Sequence, residues 1–193
     1  NTERGDGGLK TLLPAHQKVS KTQHHKALDV ELMPEFWAKL KQQEWLGAKV
    51  LQFGILTATR SAEMRGALWS EINFEEKVWH IPAKRMKGEN PKDHNIPLST
   101  AAIGLLHALP RESNLIFPSA KGAALTDATV SKVPKRIGYD VTTHGFRSTF
   151  KDWARQYVKF DHQPYDDDLT ELALAHVNND STRAAYARNA LLE

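Results

Sequence analysis

Two stripes on one short helix constrain this chain more than any other feature. Residues 142–154 read Thr-Thr-His-Gly-Phe-Arg-Ser-Thr-Phe-Lys-Asp-Trp-Ala. A turn of about 100° per residue collects Phe146, Phe150, Trp153 and Tyr157 on one face and His144, Arg147 and Lys151 on another. Thr143 is placed to cap this helix through its hydroxyl. An aromatic stripe must be buried against other elements, so the helix belongs inside a packed domain. Its basic stripe then faces either water, as on any amphipathic surface helix, or an anionic ligand.

The 193 residues suit one domain large enough to bury a core. At 40% hydrophobic and 25% charged, the composition is that of an ordinary soluble domain. The apolar run 48–58 is interrupted by Lys49, Gln52 and Gly54, and falls short of the roughly 20 residues that span a bilayer. With no cysteine there is neither a disulfide nor thiolate-bound zinc, which fits a reducing, cytoplasmic setting. A net charge of +3 makes nucleic acid a candidate partner without establishing it. Residues 1–27 read as a linker or N-terminal extension, and opening on Asn1 suggests a piece of a longer protein. Gly7-Gly8-Leu9-Lys10-Thr11 lacks the glycine before lysine of a phosphate loop, so ATP binding is not expected from it.

From Leu28 onward the pattern is regular. Pro34 suits a first helical turn, and Phe36, Trp37 and Leu40, then Trp45, Val50, Phe53, Ile55 and Leu56, predict two core helices. A threonine-rich turn follows and starts a helix at Arg60 that carries Glu63; the pair is either a surface ion pair or an arginine presented to a phosphate at a helix start. Residues 71–82 and 94–98 alternate as strands of a hairpin, with a basic tip that includes Lys84, Arg85, Lys87 and Lys92 beside Gly88 and Asn90. Ser99 caps a helix reaching Leu109, residues 115–118 are extended, and 126–137 form a further helix. Asp166, Asp167 and Asp168 are consecutive and cannot all converge on one cation, so Asp168 reads as the cap of a helix over 169–175. His176 ends that helix, and Tyr186 lies inside the next.

The order Arg60, Lys87, His144-x-x-Arg147, His176, Tyr186 resembles the catalytic domain of the tyrosine site-specific recombinases, and most closely bacteriophage and genomic-island integrases. Four blocks carry the resemblance: Thr-Arg-x-x-Glu leading into Leu68-Trp69-Ser70-Glu71-Ile72, the 81–87 hairpin segment with Pro97-Leu98-Ser99, His-Gly-Phe-Arg, and Leu174-Ala175-His176 followed by Ala185-Tyr186-x-Arg188. It implies an α+β, mostly helical fold of the DNA breaking-rejoining type with a small antiparallel sheet, formed by residues 28–193. Upstream core-binding and arm-binding domains lie outside this chain by the same resemblance, and only a short tail follows Tyr186, so the piece alone is expected to be monomeric. Ala58 and Ser61 depart from the glycine and proline frequent at those positions in the family.

The implied reaction integrates or excises a mobile element at double-stranded DNA attachment sites. It runs in the bacterial cytoplasm through a 3′-phosphotyrosine, without metal, ATP or other cofactor, and with a homotetramer of the full-length protein on DNA. An accessory protein would set its direction. The chemistry calls for such residues: a pentacoordinate phosphorane carries extra negative charge that guanidiniums match bidentately, assigning Arg60 and Arg147, with His176 a further donor. Tyr186 is the nucleophile, His144 its base, and Lys87 the acid for the departing 5′ oxygen, placed there by the resemblance. Glu63 is structural. Arg65, Lys84, Arg85, Lys92, Lys132, Lys135, Arg136 and Lys151 are candidate phosphate contacts that set affinity rather than sequence choice. Rival readings are a type IB topoisomerase-like nicking and resealing activity, a DNA-binding module without catalysis, and a metal-dependent nuclease resting on Asp166 to Asp168.

Overall fold

A computed structural model describes residues 25–88, 91–156 and 164–175. The element order is α1 (Met33–Lys41), α2 (Leu46–Thr57), α3 (Ser61–Arg65), β1 (Ile72–Asn73), β2 (Val78–Ile81), β3 (His94–Pro97), α4 (Thr100–His107), α5 (Asp127–Ser131), α6 (Val133–Arg136), α7 (Gly145–Gln156) and α8 (Asp167–Ala173).

Helix α2 is the hub because it is apolar nearly all round, which suits a helix surrounded by others. Gly47, Ala48, Val50, Leu51, Phe53 and Gly54 are all buried, and α1, α3, α4, α5 and α6 pack about it. Its one buried amide, Gln52, donates to the Leu40 carbonyl at the end of α1 (3.1 Å), so the polar group is satisfied inside the core. Phe53 meets the Trp79 and Phe117 rings at 4.9 and 5.6 Å, and Phe36 on α1 meets Phe146 on α7 at 4.8 Å. The helix stops at Ala58, whose φ of 51° is the left-handed conformation that closes many helices and that glycine adopts without strain.

The sheet is antiparallel in the order β1-β2-β3, with Ile72 opposite Trp79, Trp79 opposite Ile96, and Ile81 opposite His94. Residues 71–82 are therefore not one strand. Asn73 accepts from the Glu76 amide through its side chain (3.0 Å), the chain reverses over residues 74–77, and Lys77 takes a φ of 52°. Trp79, Ile81, His94 and Ile96 share the buried face.

Ser99 caps α4 by accepting from the Ala102 amide (3.2 Å). The single helix expected over 126–137 is two, α5 and α6, broken at Lys132; Pro134 follows at the start of the second piece, where its missing N–H costs nothing. Residues 166–175 depart by two residues from expectation, since Asp166 caps α8 by accepting from Asp168 N (2.7 Å), while Asp167 pairs with Arg155.

Helix α7 is held at its start by the beginning of the described chain. Thr142, not Thr143, accepts from the Gly145 amide (3.0 Å), and Thr142 also donates through N and Oγ1 to the Lys26 carbonyl. The Lys26 backbone lies so close that a Cβ at Gly145 would fall 2.1 Å from its oxygen. One turn on, the Thr149 hydroxyl accepts from Leu28 N (3.1 Å) and donates to Leu28 O (2.6 Å).

Candidate active site

Arg60 stands at the N-terminus of α3 and Arg147 in the first turn of α7, and the fold brings them together beneath the end of α8. Glu63 fixes Arg60 twice: one carboxylate oxygen accepts from the Arg60 backbone N–H (2.8 Å), the other from Nη1 (3.0 Å). The remaining arm, Nη2, donates to Ala175 O (3.2 Å). Arg147 is only 5% exposed. It bridges two chain segments, donating from Nη1 to Ala58 O and from Nη2 to Leu174 O, each at 2.5 Å. The left-handed turn at Ala58 is what aims that carbonyl at the guanidinium.

Burial, reinforced by the neighbouring Arg60, pushes the Arg147 guanidinium down to about 10, while Glu63 and Glu171 pull the other way. It stays charged at neutral pH. Two guanidiniums side by side in a partly desolvated cleft favour a further negative charge there. His94, at the start of β3 and 9% exposed, lines a cavity with Ala58 and Ala173, and burial, with Arg60 and Arg147, holds its pKa below the ordinary value against the opposing pull of Glu63 and of the nearby Ala173 carbonyl.

The other residues expected at the site fall into three groups. His144 is exposed, just ahead of the first turn of α7, with its ring 4.4 Å from that of His25. Lys87 is exposed next to Gly88. His176 and Tyr186 lie outside the described residues.

Several candidate phosphate contacts are engaged within the protein. Arg85 binds Glu71 and donates to Glu63 O (2.6 Å), and Glu71 also accepts from Trp79 Nε1 and Leu68 N, so this arginine knits the hairpin base to α3. Arg65 donates to Leu125 O (2.6 Å) and to Ser61 Oγ (3.2 Å), and Lys151 pairs with Glu171. Lys84, Lys92, Lys132, Lys135 and Arg136 are exposed, Arg136 lying over the Trp45 ring. His94 was not among the sequence candidates. The signal was present: in the alternation His94, Ile96, Leu98, a polar side chain takes the buried phase of a strand.

Comparison with known proteins places the pocket in a wider setting. The model of the phage integrase family matches residues 26–192. The chain belongs to this family. It is 31% identical over 189 residues to the integrase of Enterobacteria phage P4, an alignment covering 87% of this chain and 42% of that protein. Among solved structures it is similar in fold to the XerH site-specific recombinase bound to its difH substrate, with a TM-score of 0.61 at 21% identity over 83% of this chain and 49% of that one. A lambda integrase tetramer bound to a Holliday junction gives a TM-score of 0.60 at 14% identity over 86% of this chain and 51% of the other. This integrase-family chain therefore has the tyrosine recombinase catalytic-domain fold and spans about half the length of the relatives it matches. Among the described residues, no helix is long and apolar enough to cross a membrane.

Proposed function

We propose that residues 28–193 are the catalytic domain of a site-specific DNA recombinase that integrates or excises a mobile element, residues 1–27 being the linker that leads into it. The observation that carries this reading is the pairing of a half-buried Arg60, oriented by Glu63, with a buried Arg147 under one helix end. Such a pair suits the two non-bridging oxygens of a phosphodiester at the moment a fifth ligand adds to phosphorus.

In the proposed step the Tyr186 hydroxyl oxygen attacks phosphorus, its proton passes to His144, and the bond from phosphorus to the 5′ oxygen breaks. Lys87 gives its proton to that oxygen, leaving a 5′-hydroxyl and a 3′-phosphotyrosine. A second 5′-hydroxyl reverses the step on another strand, so no energy source is consumed. His176 adds a donor to the phosphorane. Loss of one arginine should slow cleavage by roughly 100-fold or more. The exposed Lys84, Lys92, Lys132, Lys135 and Arg136 are the phosphate contacts this reading favours. The partners are double-stranded attachment-site DNA and three further copies of the protein, a stoichiometry suggested by the lambda integrase tetramer, with an accessory protein biasing direction.

The test is a nicked attachment-site duplex incubated with the protein in EDTA and run on a denaturing gel. A covalent adduct is expected from the native protein and none from Tyr186→Phe. An adduct that persists undiminished in Tyr186→Phe, or its absence from the native protein, would overturn the proposal.

A further inference from the structure

Arg85 and Lys87 lie close together on the basic hairpin, yet Arg85 turns inward while Lys87 is exposed. Arg85 uses its two arms on two different elements. Nη1 binds the Glu71 carboxylate, and Nη2 donates to the Glu63 backbone carbonyl within α3 (2.6 Å). The seat on α3 is close-fitting, since a Cβ at Gly66 would stand 3.1 Å from Nη2. Glu63 in turn holds Arg60 through its side chain, accepting from N (2.8 Å) and from Nη1 (3.0 Å). A continuous run of hydrogen bonds thus joins Arg85 to Arg60. The segment that carries Arg85 is itself tied down: Arg85 N and Met86 N donate to Pro82 O and Ala83 O, each at 2.9 Å. Ala83 N donates to Asp93 Oδ1 on the returning limb (2.7 Å), and Met86 packs against the core. Lys87 is the next residue along the chain.

We infer that Arg85 is a positioning residue for Lys87: by joining the base of the hairpin to the Glu63 carbonyl, it fixes where the proposed general acid stands relative to Arg60. The two groups must keep their spacing, because the acid has to reach the departing 5′ oxygen while the guanidinium holds a non-bridging oxygen on the same phosphorus. As a counter-ion for buried Glu71 alone, Arg85 would need one arm. Its second arm is spent on the element that presents Arg60. A planar guanidinium fork suits this bridge, since it addresses two acceptors at a fixed spacing where a lysine offers a single point charge.

This inference rests on the recombinase reading above, and its test separates the two. Single-turnover adduct formation is measured for the native protein, Arg85→Gln and Lys87→Ala on two nicked attachment-site duplexes. One has the natural 5′ oxygen at the scissile phosphate, and the other a 5′-bridging sulfur, which departs as a thiolate and needs no proton. Thermal melting and duplex affinity are measured alongside. Misplacing a catalytic group by about 1 Å can cost about 100-fold. Arg85→Gln should therefore cleave the oxygen-bridged duplex roughly 10- to 100-fold more slowly than the native protein, yet the sulfur-bridged duplex at about the native rate, with affinity within about twofold. If Arg85→Gln does not fold, the double variant Glu71→Gln, Arg85→Gln replaces it, because it leaves no buried carboxylate without a cation. Native-like cleavage of the oxygen-bridged duplex by a folded Arg85 variant overturns the inference. Equal slowing on both duplexes also overturns it, since a merely structural role would not distinguish the leaving groups. If the bridging sulfur fails to rescue Lys87→Ala, Lys87 is not the acid and the inference falls while the recombinase reading stands. Failure of the native protein to form an adduct on either duplex defeats the recombinase reading itself, and with it this one.

Discussion

Adding one methyl group to Gly145 should push the beginning of the chain off α7. The added Cβ would stand 2.1 Å from Lys26 O, 2.8 Å from Lys26 C and 2.9 Å from Ala27 Cα. Ordinary contact lies near 3.5 Å, so the crossing backbone must retreat by roughly 1.4 Å. That displacement carries the Lys26 carbonyl out of hydrogen-bonding range of Thr142 N and Oγ1, now at 2.9 and 3.2 Å. Two lost bonds at about 1 kcal/mol each, added to overpacking of about 1–3 kcal/mol, outweigh a helix-propensity gain of at most about 1 kcal/mol. Gly145→Ala should therefore lose about 2 kcal/mol or more, a fall of roughly 4–8 °C in Tm for a domain of this size. Gly104 is the control: it lies inside α4, exposed, with nothing within 4 Å of an added Cβ. Gly104→Ala should gain up to about 1 kcal/mol and raise Tm by roughly 2–4 °C. Calorimetry of both variants checks the pair. A Gly145→Ala protein as stable as the native, alongside the expected rise for Gly104→Ala, would refute the close crossing.

Two further outcomes follow from the buried charges. Arg85→Gln leaves the Glu71 carboxylate, 8% exposed, without its cation and should cost about 3 kcal/mol in urea denaturation. It should leave the salt dependence of DNA binding unchanged, whereas Lys135→Ala should leave stability unchanged and reduce the slope of log Kobs against log salt by about 1. For pH, His94 faces Arg60, Glu63 and Arg147, and its pKa is lowered in the folded protein, so the unfolded chain binds the extra proton first. Stability should hold above the ordinary histidine value of about 6.5 and decline as the pH falls from there toward the depressed native pKa. His94→Gln should flatten that decline relative to the native protein in denaturation at pH 7.5 to 5.

The core helices, the Ser99 cap and the sheet were legible because apolar spacing and capping chemistry are local. The fine structure was not. Asn73 turned the chain in a stretch whose alternation looked continuous, and Pro134 split a helix whose apolar pattern runs through both halves. At the site, sequence order marked Arg60 and Arg147, and Glu63, read as structural, accepts from both the backbone and the guanidinium of Arg60. What no local pattern could supply is which carbonyls they meet, since Ala58, Leu174 and Ala175 contribute only backbone. Arg85 misled for a related reason: a basic residue near a hairpin tip looks solvated until the fold brings Glu71 beneath it. His94 was hidden inside a strand whose other inward residues are apolar.

The Thr149 clamp on Leu28 joins residues 121 positions apart, and the Arg60 bond to Ala175 spans 115. Contacts of such separation form late, because the intervening chain must first lose the entropy of closing a loop of that size. Helices α1 to α6 and the hairpin can assemble while the chain is still being synthesised, but the two arginines gain their α8 carbonyl partners only after Ala175 has left the ribosome. The anion pocket is thus completed last, and a truncated translation product that retains the core would lack an organised one.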